Sequence, residues 1–313
     1  DVVKRYDIDG VHLDDYFYPY QVENAKGGFI DFPDDESWDR YRAAHGTLDR
    51  KDWRRENVNR FIRNLYSRIK KEKRWVKFGI SPFGIWRPGN PPKIAGLDAY
   101  DHLYADSRKW ILNGWADYFS PQLYWPIDSP GQSFPLLLDW WVAQNKQARH
   151  LWPGLNSHKT TENWAPTEII NQVTTGRARS TGHIHWNGSS VLGKQESLRT
   201  ALDQTVYTRQ ALIPASPWLD NRPPPKPKAF LENRPDGRSL KVHWETKGTH
   251  PAALWVLQSH QSGGWFTHIF PGTQTAAIFE AKASASLPDT VAVSLVNRYG
   301  TLSPTVILTT PGK

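Results

Sequence analysis

A chain of 313 residues without a cysteine cannot build a disulfide framework, a Cys-ligated zinc site or a thiol nucleophile. Its length allows a sizeable core and two domains, and no apolar run reaches the roughly 18 residues that a membrane-spanning helix needs. The net charge of +8 suits anionic company such as nucleic acid or a bacterial cell wall, while the 16 Trp point to surfaces that stack sugars or bases, besides those spent on the core. The basic residues are scattered, and the densest run, 68–74, ends a predicted helix where it complements the helix dipole, so nucleic acid is not the expected partner. The chain opens on Asp1, directly before a strand and without an initiator Met, so the true N-terminus is expected upstream.

The first predicted element is a strand over 8–14, in which Val11 and Leu13 alternate with His12 and Asp14. Asp15, Tyr16, Phe17 and Tyr18 follow, and Pro19 forbids further pairing. Acids at the carboxyl end of a strand, mixed with rings, are what a glycan-cleaving barrel carries at its mouth. A capped strand whose acids only bind a loop is the alternative. Residues two apart share a face, so His12 and Asp14 are expected to point inward, and Asp15 outward or into the loop. Asp14 is thus the catalytic candidate; His12 either holds it by a hydrogen bond or is a satisfied core histidine. Residues 27–52 read as a long solvated loop, or a wall of the cleft, dense in Asp31, Asp34, Asp35, Glu36 and Asp39.

A helix over 54–73 carries Val58, Phe61, Ile62, Leu65 and Ile69 at helical spacing. The second strand, 75–81, has no acid at its end, and Ser81 lacks a GxSxG elbow, which argues against a serine hydrolase. Trp86 and Arg87 sit on a Gly/Pro-rich loop, as a stacking ring and a fork donor for a sugar or as loop packing. A helix over 98–114 ends at a Gly stop. In the third strand, 116–124, Gln122 and Tyr124 share the inward face; Trp125 follows, and Asp128 is either a second carboxylate or the cap of the turn 128–131.

A helix over 134–147 and a strand over 150–156 come next, the latter offering Asn156 to a sugar hydroxyl or to a loop cap. A helix starting at Pro166, a strand over 182–187 with His185 and Asn187 on one face, and a helix over 196–207 complete this half. His12, His183 and His185 lack an HExxH or a carboxylate at matching spacing, so neither a metal nor a cofactor is expected. Strand alternating with helix predicts parallel strands, and without GxGxxG or GxxxxGK[ST] the pattern favours a (β/α) barrel over a nucleotide fold. Eight units close a barrel and five are counted, so three are expected upstream of Asp1.

The Pro-rich run 214–228 reads as a semi-rigid extended linker. Beyond it, alternating segments at 239–244, 253–257, 275–279 and 290–295 are separated by turns at 235–237, 262–264 and 299–300. A small β-sandwich follows, and without a Cys…Trp…Cys pattern it is expected to be fibronectin type III-like.

Four stretches carry a family resemblance: Asp9-Gly-Val-His-Leu-Asp-Asp-Tyr-Phe-Tyr-Pro-Tyr20, Phe78-Gly-Ile-Ser-Pro-Phe-Gly-Ile-Trp-Arg87, Pro121-Gln-Leu-Tyr-Trp-Pro-Ile-Asp-Ser129 and Ala215-Ser-Pro-Trp-Leu-Asp220. Together they resemble the bacterial glycosyl hydrolase-like family ten, over about residues 1–220. The resemblance implies a barrel glycosidase, exported and often a lipoprotein, some of whose members cleave peptidoglycan strands stripped of their peptides. It assigns these motifs to strands four to eight, so this chain by itself is expected to be inactive. A weaker likeness to chitinases rests on Asp9, Gly10 and Asp14 of their DGxDxDxE pattern; His12 replaces one Asp, and Tyr16 stands where the acid would be.

The expectation is therefore an α/β chain in three parts: residues 1–213 as the C-terminal part of a (β/α)8 barrel, 214–228 as linker, 229–313 as the sandwich. Its substrate would be an N-acetylated cell-wall glycan, cleaved by Asp14 with Asp15 or Asp128. His12, Tyr16, Tyr18, Trp86, Arg87, Gln122, Tyr124, Trp125, Asn156 and His185 would bind the sugars. The expected location is extracytoplasmic, and the rival reading is a non-catalytic cell-wall glycan-binding protein.

Overall fold

The computed structural model describes residues 1–193, 196–233, 238–247, 251–281 and 286–310. They fall into two compact units, Asp1–Val206 and Tyr207–Lys313.

The first unit is α/β. Its parallel sheet runs Gly10–Leu13, Lys77–Ile80, Tyr118–Phe119, His150–Leu151, so strands adjacent in sequence are adjacent in space. The fourth predicted strand is broken at Pro153, which has no N–H for the ladder. Its second piece, Gly154–Asn156, pairs in parallel with Ile184–Trp186, and parallel bridges from Phe83 to Gln122 and from Gln122 to Gly154 tie this pair to the sheet. The strands are apolar because both faces are covered: Phe78, Ile80, Phe119 and Leu155 are fully buried, and each such side chain contributes about 1.5–3 kcal/mol.

At the opposite end of the sheet, Asp117 is fully buried and accepts from the Phe78 amide at 2.7 Å, the Tyr66 hydroxyl at 3.3 Å and the Lys70 ammonium. A buried carboxylate is tolerated there because its lone pairs are satisfied.

Three expectations change. The helix predicted over 54–73 is Arg50–Glu72, started by Asp49, whose side chain accepts from the Asp52 amide. The helix predicted over 98–114 is two, Ala99–His102 and Ser107–Asn113, because Asp98 and Asp106 each cap a new start and Tyr104 between them has a left-handed φ of 51°. Gly114 closes the second with a φ of 64°, as a C-terminal glycine does. The segment 27–52, expected as a solvated loop or a wall of the cleft, contains the helix Asp35–Ala43, whose Trp38 and Tyr41 pack with Trp53 of the long helix at centroid distances of 5.4 and 5.9 Å.

The second unit holds two antiparallel sheets. One has the order Ala276–Glu280, Ser239–Glu245, Lys228–Asn233; the other Gly264–Pro271, Leu254–Gln261, Thr290–Val296, Val306–Thr309. Leu240, Val242 and Trp244 of the first share one core with Trp255, Leu257, Val291, Val293 and Leu295 of the second. The indole N–H groups of Trp244 and Trp255 reach the carbonyls of Gln274 and Gly272 at 2.8 and 3.1 Å, which lets both rings be buried. The start of the Pro-rich run is not free chain: Ser216 is buried, and its amide donates to the Tyr299 carbonyl at 2.8 Å. The turn predicted at 235–237 lies outside the described residues.

Candidate active site

The parallel strand Gly10–Leu13 ends where Ser81 N–H donates to the Leu13 carbonyl at 2.8 Å. Asp14 and Asp15 therefore lie beyond the ladder, at the carboxyl end of the sheet, and strand alternation no longer sets their directions. Asp14 reaches Gln122, which is expected to share its inward face, whereas Asp15, expected to point outward or into the loop, is the buried one. Asp14 is exposed, whereas Asp15 is only 4% exposed.

Asp14 accepts on Oδ1 from the Gln122 side-chain amide at 2.7 Å and from the Asp15 backbone N–H at 2.9 Å. Gln122 also donates to the Ser81 carbonyl at 3.2 Å, so the third strand is bonded to the ends of the first and second. Asp15 accepts from the Tyr20 hydroxyl. Burial pushes the Asp15 carboxyl above the usual carboxylate range; the Tyr20 hydrogen bond opposes this, and the negative charge of Asp14 adds to the rise. Tyr124 is held well above the ordinary phenol range, first by burial and then by the charges of Asp14 and Asp15.

Rings surround this pair. Tyr16, 73% exposed, meets Tyr20 edge-on at 6.0 Å. Tyr124 stacks on the exposed Trp186 at 6.4 Å, and a side chain at Gly154 would crowd the Tyr124 ring at 3.1 Å. Asp14 and Tyr16 line a hollow of about 530 Å³ with Phe17, Val58 and Phe61. Asn156 ends its strand with a buried carboxamide oxygen that has no partner among the described residues. A polar atom left so is costly unless a ligand or water meets it.

Other predicted site residues are engaged elsewhere. His12 does not hold Asp14; its Nδ1 lies 3.0 Å from the Tyr118 hydroxyl and the two rings stack at 5.7 Å. Desolvation lowers the His12 pKa, and the charge of Asp14 partly restores it. Tyr18 belongs to a separate cluster, its hydroxyl 3.4 Å from Asp34 and its phenol pushed up to about 12, chiefly by burial. Trp86 stacks on Trp140 at 5.9 Å and donates to Asp106 at 3.2 Å, while Arg87 pairs with Asp98 at 3.1 Å and covers the Tyr100 ring. Both pack in this way because the Gly/Pro-rich segment turns back onto the helices that follow it. Trp125 meets Phe83 edge-on at 5.7 Å. Asp128 is exposed, beside the turn that the Ser129 amide closes on the Pro126 carbonyl, and among the described residues it has no bond to Asp14 or Asp15. His185 bonds Ser157 through Nδ1, and burial lowers its pKa to about 4.

Two participants escaped the sequence reading. Tyr20 follows the proline that ends the strand signal, and Trp186 lies between the two residues singled out on its strand. Tyr20 closes the first of the family motifs without a role read for it, and no local pattern marks Trp186; their roles come from contacts with Asp15 and Tyr124.

The model of the glycosyl hydrolase-like 10 family matches residues 1–168. Glycosyl hydrolase YngK of Bacillus subtilis is 39% identical over 242 residues, which cover 73% of this chain and 46% of that protein. Glycosyl hydrolase DigH of Escherichia coli is 36% identical over 167 residues, 52% of this chain and 36% of that protein. The chain thus spans less than half the length of these curated relatives. Among solved structures, bee venom hyaluronidase in complex with a hyaluronic acid tetramer aligns over 63% of this chain and 85% of its own, with a TM-score of 0.35 and 12% identity. On the extent of the family match, the chain belongs to the glycosyl hydrolase-like 10 family.

Proposed function

We propose that residues 1–206 are five units of a (β/α)8 glycosidase barrel, the fourth to eighth, and that the protein hydrolyses an N-acetylated bacterial cell-wall glycan. The sequential order of the parallel strands supports the barrel, since a doubly wound sheet would reverse its order at a switch point. The two antiparallel sheets around one core support a fibronectin type III-like sandwich for the second unit. Such a substrate lies outside the cytoplasm, so the protein is assigned an extracytoplasmic location.

One observation carries the chemistry: an exposed acid, Asp14, stands beside a buried one, Asp15, at the carboxyl end of a parallel strand. Glycoside hydrolysis needs one carboxyl group that holds a proton and one that does not, and unequal environments separate neighbouring acids in this way. Asp14 meets the sugar, oriented by Gln122. Asp15 keeps a proton more readily and assists it. Tyr124, Trp186 and Asn156 contact the glycan around them.

The test is release of reducing ends from peptide-free glycan strands by the full-length protein. Asp14→Asn is expected to lower turnover by at least 100-fold with an unchanged circular dichroism spectrum. Undiminished product release by this variant would remove Asp14 from the mechanism.

A further inference from the structure

The ribbon formed by Val22–Glu23 and Phe29–Ile30 leaves Val22 and Ile30 directly opposite one another, and both are about 60% exposed. Under it lies a cavity of about 230 Å³, framed by Tyr18, Tyr20, Val22, Ile30, Phe32 and Tyr104. Tyr18 meets Phe32 and Tyr104 edge-on at 5.0 and 4.8 Å, so the walls are rigid rings set at steep angles. This volume is below the roughly 300–1,000 Å³ of pockets for drug-sized ligands, which suits a single ring rather than a length of polymer.

The floor does not call for an anion. The Arg54 guanidinium is taken up by Asp34 at 2.7 and 2.9 Å, by Asp31 at 2.8 Å, by the Tyr104 hydroxyl at 2.6 Å and by the Phe32 carbonyl at 3.2 Å. No donor pair of its fork is left to grip a carboxylate in the bidentate way. What the cavity offers is apolar and aromatic surface beside a few polar atoms, the lining that suits an uncharged pyranose ring.

Tyr20 belongs to both places. Its ring walls the cavity, and its hydroxyl donates to Asp15. The neighbouring Asp14 and Tyr16 line the larger hollow instead. We propose that the cavity under the ribbon is a subsite for one uncharged N-acetylated sugar ring, and that Tyr20 couples its occupancy to Asp15. The proposal rests on the glycan reading above and extends it to a second place in the cleft.

The test uses the full-length protein and β-1,4-linked N-acetylglucosamine oligomers of about two to six sugars, followed by calorimetry and by release of reducing ends. Phe32→Ala removes a wall without touching the carboxylates and is expected to weaken binding of the long oligomers about tenfold, leaving the shortest unchanged. Tyr20→Phe keeps the wall and removes the hydrogen bond. It is expected to preserve binding and to move the pH dependence governed by Asp15 to higher pH, since the hydroxyl favours the anionic form. Equal losses at every length in Phe32→Ala, or an unmoved pH profile in Tyr20→Phe, overturn the proposal. A length-dependent loss of binding without hydrolysis would support the subsite and sink the hydrolase reading. Hydrolysis with no length dependence would do the reverse.

Discussion

Gln122 donates to Asp14 at 2.7 Å although 108 positions separate them in the chain. The bond joins the extension of the third parallel strand to the end of the first, and aims the one exposed acid of the pair. Its neighbour Asp15 is buried and held by Tyr20 instead. Two adjacent acids thus receive different partners from different parts of the fold.

Replacing Gln122 tests whether aiming matters. Gln122→Leu keeps the volume but removes the donor, and kcat/KM of the full-length protein is expected to fall about 10- to 100-fold, mostly in kcat. A change confined to KM would assign Gln122 to substrate binding instead.

Asp15 makes stability depend on pH in a stated direction. Its folded carboxyl holds a proton above the unfolded range, so between the two values the folded state binds more protons than the unfolded one. Stability is then fully present below the unfolded pKa and falls as pH rises through the folded one. Asp15→Asn, which keeps an acceptor for Tyr20, is expected to melt at or above the wild-type temperature at pH 7 and to lose that advantage near pH 4. Melting curves at both pH values check this.

Gly79 accommodates a ring. A Cβ there would lie 1.8 Å from the Tyr118 ring, so Gly79→Ala forces Tyr118 or the strand to move. The cost is expected to be about 1–3 kcal/mol by overpacking, read as a lower urea midpoint. Because Tyr118 also holds His12, the same variant should change the His12 titration seen by NMR.

Arg54 and Asp34 are both buried and paired through two hydrogen bonds. Arg54→Met leaves Asp34 with only Arg50 as a cationic partner and is expected to cost about 3–5 kcal/mol in urea unfolding. Adding Asp34→Asn to it should recover part of that loss. Additive losses would show that the pair is not coupled.

Much of the architecture was legible locally. The alternation of Val11 and Leu13 with His12 and Asp14, the helical stripe of Val58, Ile62 and Ile69 (though Phe61 and Leu65, expected in it, are not buried), and the glycine stop at Gly114 all reflect interactions within a few residues. Breaks were harder to see. The second start at Asp106 looks like an ordinary helical position until Tyr104 takes a left-handed conformation before it.

The candidate site was legible only in part. Asp14, Gln122 and Tyr124 were singled out because they stand at strand ends, and the structure brings them together. Trp86 and Arg87 stand on a loop that folds onto other partners, and Asp128 is exposed without a bond to Asp14 or Asp15 among the described residues.

By itself the sequence determined the alternation of the parallel strands with the long helices and which strand ends carry acids and rings, because backbone periodicity is short-range. The tertiary structure decided which of Asp14 and Asp15 is buried, which ring holds it, and that Tyr20 joins it to a cavity. Burial and pairing depend on segments distant in the chain meeting in space, and no pattern within a strand encodes that.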